Sequence, residues 1–233
     1  MSPDPSGRSR PKVILHNAVS LDGWLDGFPI DVGLYYEAAG LIGADAILSG
    51  SNTNLAAFAE AYEEPPGETA PPPEPDTRPL LAVVDSRGRV TQWRQLIAAP
   101  FWRSVVTLCS ETTPEAHCRE AHAAGLETLV AGREKVDLGR GLQMLRERFG
   151  VDTVRTDSGG ILNMALLRQG LLDEVSLLFH PVFAGQGSLP LLVRAEADFL
   201  LTPAQLAITS VESLRGGVLW FRASLTAKRE AHP

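Results

Sequence analysis

The sequence is poor in cysteine: Cys109 and Cys118 are its only two in 233 residues. Two thiols cannot make a disulfide scaffold, and no further ligands stand at zinc-site spacing beside them, so no metal is expected. They read as ordinary thiols of a reducing cytoplasm. No apolar run reaches the roughly 18 residues that a spanning helix needs, so no membrane partner is expected. Met1 to Arg10 is polar, with two prolines and no apolar segment. It reads as a flexible N-terminus over residues 1–10, not as a signal peptide. Positive charge is short as well: 21 Lys and Arg against 28 Asp and Glu leave a net −7. Binding a phosphate backbone needs a basic face, so nucleic acid is not the expected partner. One small anion in a local or helix-terminal pocket remains compatible with that charge.

What is present is an ordinary globular composition, 44% hydrophobic and 21% charged, which excludes wholesale disorder, collagen and coiled coil. A chain of this length buries a full core without staples. A first strand opens at Val13-Ile14-Leu15, runs toward Val19 and meets the turn Ser20-Leu21-Asp22-Gly23. Leu34, Ala38, Leu41 and Ile42 follow helical spacing, Ala46-Ile47-Leu48 is a short strand, and Leu55, Phe58, Ala59 and Tyr62 suggest a second helix. Residues 63–79 hold seven of the 17 prolines and read as an extended surface loop. A strand–helix rhythm follows. Strands are expected at Leu80–Val84, Val105–Leu108, Thr128–Val130, from Thr153, and over Glu174–Phe183. Helices are expected at Pro114–Ala124 with Thr113 as N-cap, from Asp137 to a stop at Gly150, and after Ser158-Gly159-Gly160. An antiparallel pair, about 205–213 and 218–226, closes the chain. Alternating strands and helices argue for an α/β three-layer sandwich: a mostly parallel central sheet and a C-terminal antiparallel hairpin, one domain over 11–233.

Four clusters carry possible chemistry. In Thr156-Asp157-Ser158-Gly159-Gly160-Ile161 a strand delivers the chain to two glycines and a helix. Backbone N–H groups and the helix dipole there suit a pyrophosphate, although the same turn can be purely structural. Gly50-Ser51-Asn52-Thr53 and Asp85-Ser86-Arg87 also follow strands; their plain readings are a helix cap and a polar turn. Ligands of open α/β sheets bind outside the strand C-termini, so the three turns are expected along one edge, serving one dinucleotide. The fourth cluster is His16, Asn17, Ser20 and Asp22 in and after the first strand, where buried polar groups need a reason. His180 reads as a satisfied core histidine, and His117 and Cys118 as residues of a surface helix.

Val13–Gly23 resembles the opening strand and S-L-D-G turn of the riboflavin-pathway reductases, whose reductase domain has a dihydrofolate-reductase-like fold. A second match runs from Val154 to Gly187: Gly159-Gly160, Leu162-Asn163-Met164-Ala165-Leu166-Leu167, Gly170–Val175 and Pro181–Gly185. Gly50 with Thr53, and Val84-Asp85-Ser86, stand at the family's order and spacing. The resemblance implies an NADPH-dependent reduction of a ribosylaminopyrimidine 5′-phosphate to its ribitylamino form, and a homodimer. It implies cofactor contacts from Gly50, Thr53, Asp85, Ser86, Ser158, Gly159, Gly160, Ile161, Leu162 and Asn163. It implies catalytic roles for His16, Asp22 and Asp157, with Asn17, Ser20, Asp31 and Asp157 toward the substrate. Arg87 and Arg133 are the basic candidates for a 2′-phosphate.

The sequence also departs from the family. Ala57 stands where a T-x-x-x-D pattern has its acid, and Leu41 and Glu64 take the approximate places of substrate-phosphate arginines. Lysine or asparagine is usual at His16, and there is no H-x-E…P-C-x-x-C deaminase module, so a stand-alone reductase is expected. Two alternatives follow. Phe28–Val32 resembles the stretch that supplies the acid of dihydrofolate reductases, which would make Asp31 a pterin acid. A non-catalytic NADPH-binding module on the same fold is the other.

Overall fold

A computed structural model describes residues 8–57, 76–187, 189–192 and 203–226. The chain begins with β1 (Lys12–Ser20), α1 (Val32–Ile42), β2 (Ala46–Gly50), α2 (Ser51–Ala57), β3 (Leu80–Val84) and α3 (Trp93–Ala98). It continues through β4 (Ser104–Cys109), α4 (Glu115–Ala123), β5 (Glu127–Val130), α5 (Leu138–Phe149), β6 (Thr153–Thr156) and α6 (Gly160–Arg168). β7 (Glu174–His180), β8 (Leu206–Ser213), a 3-10 turn (Arg215–Gly217) and β9 (Leu219–Leu225) complete it. The architecture is mixed α/β, with mostly parallel strands and an antiparallel C-terminal pair. The described residues group into two compact units. The first holds Ala44–Val154 with the segment ending at Pro11, the second Lys12–Gly43 and the chain from Arg155 onward.

In the first unit β2, β3, β4 and β5 are parallel neighbours in the order β5-β4-β3-β2. β2 and β3 carry continuous apolar runs, Ala46-Ile47-Leu48 and Leu80–Val84, as strands covered on both faces require. Ile47, Leu81, Val83, Trp93, Leu96, Val105 and Leu126 share one buried cluster. The clearest helix is α5. The Asp137 carboxylate accepts from the Arg140 N–H at its start, and Gly150 takes the left-handed conformation at its end.

In the second unit β1 and β7 are parallel, β9 lies antiparallel to β7, and β8 pairs antiparallel with β9. Successive β1 side chains point to opposite faces. His16 therefore meets Tyr35 of α1, while Asn17 meets Ser158 and Asn163 at the head of α6. The unit is thus three layers: α1, strands, α6. Ala18, Leu34, Ala38, Leu178, Val218 and Trp220 form the core on the α1 side. An irregularity between Ile208 and Ser210 lets Leu206, Ile208 and Val211 face Leu225, Ala223 and Phe221 in turn. Three apolar side chains of β8 therefore share one face.

Several local expectations need correction. Pro114, not Thr113, occupies the N-cap of α4 and makes no side-chain cap bond. The Thr113 hydroxyl instead accepts from the Ser110 N–H and donates to the Ser86 carbonyl. β7 stops at His180, where Pro181 removes the next donor. His117 is buried, not on a surface, because its ring packs on Trp93 and lies under the Gly88 turn. α3 was not anticipated. Phe58, Ala59 and Tyr62, Glu64 and most of the proline-rich stretch 63–79 lie outside the described residues.

Candidate functional site

The turn from β6 into α6 assembles the densest chemistry of the second unit. Gly159 is the N-cap of α6, extended at φ −74° and ψ 170°. A glycine cap supplies no side-chain acceptor for the first N–H groups of the helix. A Cβ built at Gly159 would meet nothing within 4 Å, so the backbone there is open to close approach. Ile161 projects outward, exposed, whereas Leu162 and Asn163 face inward. The Asn163 amide donates toward Asn17 Oδ1 (3.2 Å), the Ser158 carbonyl (3.1 Å) and the Leu191 carbonyl (3.0 Å). Asn17 Nδ2 also reaches the Ser158 carbonyl, at 3.4 Å. The two asparagines therefore shape the turn from behind.

Asp157 stands at the mouth of this turn, with a fifth of its side chain (20%) exposed. Burial pushes its carboxyl above the usual range, against the pull of Arg155, whose Nη2 donates to Oδ2 at 3.2 Å. The Tyr35 hydroxyl donates to the His16 carbonyl at 3.4 Å, and its phenol lies beside the same carboxylate. Burial raises the Tyr35 phenol well above its ordinary value, so it stays protonated.

His16 has no exposed surface (0%), and both ring nitrogens are engaged. Trp220 Nε1–H donates to Ser176 Oγ at 2.8 Å, and Ser176 Oγ lies 3.0 Å from His16 Nδ1. His16 Nε2 lies 3.3 Å from the Tyr35 carbonyl, which can only accept. The proton therefore sits on Nε2, and Nδ1 accepts from the serine hydroxyl. Burial, helped by the Arg155 charge, lowers the imidazole to about 4, so the ring is neutral near pH 7. His180, on the neighbouring strand, bonds the Leu178 carbonyl through Nδ1 and leaves Nε2 buried without a partner.

Ser20 and Asp22 lie at the end of β1. Ser20 Oγ donates to Asp22 Oδ1 at 2.6 Å and accepts from the Trp24 N–H. Asp22 also accepts from the N–H groups of Ala184 and Gly185. The Ser20 hydrogen bond first, and these amides after it, hold its carboxyl down at about 2. Asp22 thus clasps the loop after β7. Asp31 caps α1 by accepting from the Leu34 N–H and pairs with Arg215, which also binds Glu37. The Arg215 hydrogen bond keeps the Asp31 carboxyl below its usual value.

The remaining expected residues lie in the first unit. Gly50 and Val84 are register partners, so Gly50 and Asp85 end neighbouring parallel strands. Asp85 is buried, and one of its oxygens accepts from the N–H groups of Arg89 and Val90. Ser86 Oγ accepts from the Val136 N–H at 2.9 Å. Ser51 and Asn52 both accept from Arg89, and Thr53 lies within α2. Tyr35, Arg155, Ser176 and Trp220 were not foreseen. The one available signal was Arg155, a charge between Val154 and Thr156 in a short strand.

The sequence matches the RibD C-terminal domain family over residues 11–219. The 2,5-diamino-6-ribosylamino-4(3H)-pyrimidinone 5′-phosphate reductase of Methanothermobacter thermautotrophicus is 30% identical over 201 residues, 80% of this chain and 85% of that protein. Its namesake from Archaeoglobus fulgidus is 33% identical over 122 residues, 52% of this chain. The match spans about half of that relative, 54% of its length. A pyrimidine reductase-like protein from Corynebacterium diphtheriae superposes with a TM-score of 0.73 at 16% identity, covering 93% of this chain and 92% of that one. That likeness carries the fold.

Proposed function

Since the chain belongs to the RibD C-terminal domain family, we propose that it is an NADPH-dependent reductase of riboflavin biosynthesis, converting a ribosylaminopyrimidine 5′-phosphate to its ribitylamino form. The observation that carries this reading is the β6–α6 turn, where a mostly buried carboxylate adjoins an open, glycine-capped helix N-terminus inside the family match. When bound, the nicotinamide supplies a hydride to C1′ of the open-chain imine; orientation and electrostatics are the protein's share.

Ser158, Gly159, Gly160 and Ile161 would hold the cofactor's pyrophosphate by backbone N–H groups and the helix dipole. Leu162 and Asn163 would act from inside, by packing and by fixing the turn. Asp157 would accept a hydrogen bond from the pyrimidine or the sugar. Ser20 and Asp22 would shape the substrate side through the clasped loop. His16, neutral and enclosed, serves orientation and does not deliver a proton. Thr53 and Ser86 are proposed as further cofactor contacts. The reading includes a cytoplasmic homodimer, with the exposed apolar face of β8 (Ile208 at 65%, Val211 at 55%) as the contact.

The test is NADPH oxidation, followed by absorbance, with the ribosylaminopyrimidine phosphate as substrate and NADH in parallel. Stoichiometric NADPH loss with a ribityl product, faster than with NADH, is expected. Tight NADPH binding without turnover would overturn the reductase reading in favour of a binding module.

A further inference from the structure

We infer that Arg155 is a positioning residue for Asp157: braced by α1, its guanidinium fixes the direction of that carboxylate and is the charge set against its burial. The inference rests on the proposed placing of Asp157 at the substrate, and it adds a residue to which neither the family pattern nor the sequence assigned a role.

The geometry is a double grip. Arg155 ends β6 with Thr156, and Asp157 follows two residues after the arginine, which returns the chain to the same side. Tyr35 and Ala39 lie one turn apart on α1, so they also share a side. The two pairs meet: Arg155 Nη2 donates to Asp157 Oδ2 at 3.2 Å, and Nη1 donates to the Ala39 carbonyl at 3.4 Å. The Tyr35 phenol, whose proton goes to the His16 carbonyl, lies beside the same carboxylate and favours its charge weakly. Asp157 is the only acidic side chain paired with Arg155 among the described residues. Its Nε is buried with no partner. A buried guanidinium held by one carboxylate and one carbonyl has little reason to leave them, because moving strands its charge.

The charge balance follows from what faces Asp157. Arg155 of β6 favours the carboxylate, and desolvation opposes it. Tyr35 of α1 donates to the His16 carbonyl and stays neutral, and His16 of β1 packs its ring on Tyr35 at 4.6 Å with its own proton committed to the Tyr35 carbonyl. Among the described residues Arg155 is thus the one positive charge set against burial. An opposite charge within about 4–6 Å typically moves a carboxyl by about 1–3 pH units. Without it, burial would act on the Asp157 carboxyl unopposed and push it further toward the protonated form.

The experiment titrates the Asp157 side-chain carbon by NMR in protein labelled with 13C-aspartate, the signal being assigned through D157N. In R155M the midpoint is expected to rise by at least about one pH unit. In R155K, which keeps the charge, it is expected to stay within about half a unit of wild type. In Y35F it should rise, by less than in R155M. A midpoint in R155M equal to wild type overturns the inference. If R155M does not fold, R155Q, which keeps hydrogen-bonding groups without the charge, takes its place, and an unchanged midpoint there overturns the inference. The acid limb of the kcat/KM–pH profile then separates the two claims. If it moves with the NMR midpoint, both stand. If the midpoint moves and the limb does not, Arg155 still positions Asp157, but Asp157 is not at the substrate.

Discussion

At the scale of single residues, His16 and Asp157 show how the same burial has opposite uses. His16 is enclosed with a complete set of partners, and its titration becomes a stability effect. Its folded value, about 4, lies below its ordinary 6.5, so between those limits the unfolded chain binds the extra proton. Stability from His16 is therefore full above about pH 6.5 and is lost as pH falls toward 4, by on the order of 3 kcal/mol. Urea unfolding from pH 7.5 down to 4 should show that slope in wild type and lack it in His16→Gln; parallel curves would refute the assignment. Gly159 gives a second test. A methyl there meets no atom, and the backbone angles suit any residue. Gly159→Ala should leave Tm unchanged and raise the NADPH KM by roughly tenfold, about 1.4 kcal/mol, if phosphate lies against that backbone. The polar residues of β1 were legible as unusual in the sequence. Their partners were not: Ser176 lies 160 residues from His16, and Asn163 lies 146 from Asn17. Spacing along a chain carries no information on such pairs.

At the scale of elements, α5 and α3 mark the limits of reading. α5 carries a capping carboxylate, apolar residues at helical spacing and a terminal glycine, and each was visible before the fold. α3 has six residues and no side-chain cap, so only its packing of Trp93 and Leu96 into the core defines it. The face of α4 was misjudged for a related reason. His117 looks polar by residue type, and only the Gly88 turn over it and the Trp93 ring against it make it an interior group. Turns give sharper tests. Gly132 has φ +93°, and a Cβ would sit 2.4 Å from the Lys135 carbonyl oxygen. Gly132→Ala should therefore cost more than about 2 kcal/mol in urea unfolding, and it should loosen Ser86, which is held by the Val136 N–H just downstream. Asp22→Asn replaces an acceptor of two loop amides with a group that is half donor. Hydrogen exchange at Ala184 and Gly185 should quicken several-fold, with global stability little changed; protection equal to wild type would show that the clasp is not what holds the loop.

At the scale of the whole molecule, the α/β class and the closing antiparallel pair were legible because strand and helix periods differ. The apolar face of β8 was not, since it depends on one irregular residue step between Ile208 and Ser210. If that face joins two copies, I208E combined with V211E should give a monomer by light scattering where wild type gives a dimer. A dimer in the variant would move the contact elsewhere. The parallel pairing of β1 with β7 has a consequence for how the protein is made. The Val13 amide finds its acceptor, Asp173, only 160 residues later. At about 5–20 residues per second, β1 leaves the ribosome roughly 8–32 seconds before that acceptor does. For that interval an apolar strand waits with its edge toward β7 unpaired, a template for any other strand it meets. Nascent chains stalled before Glu174 should be cut by protease within β1, and release of β7 should protect it.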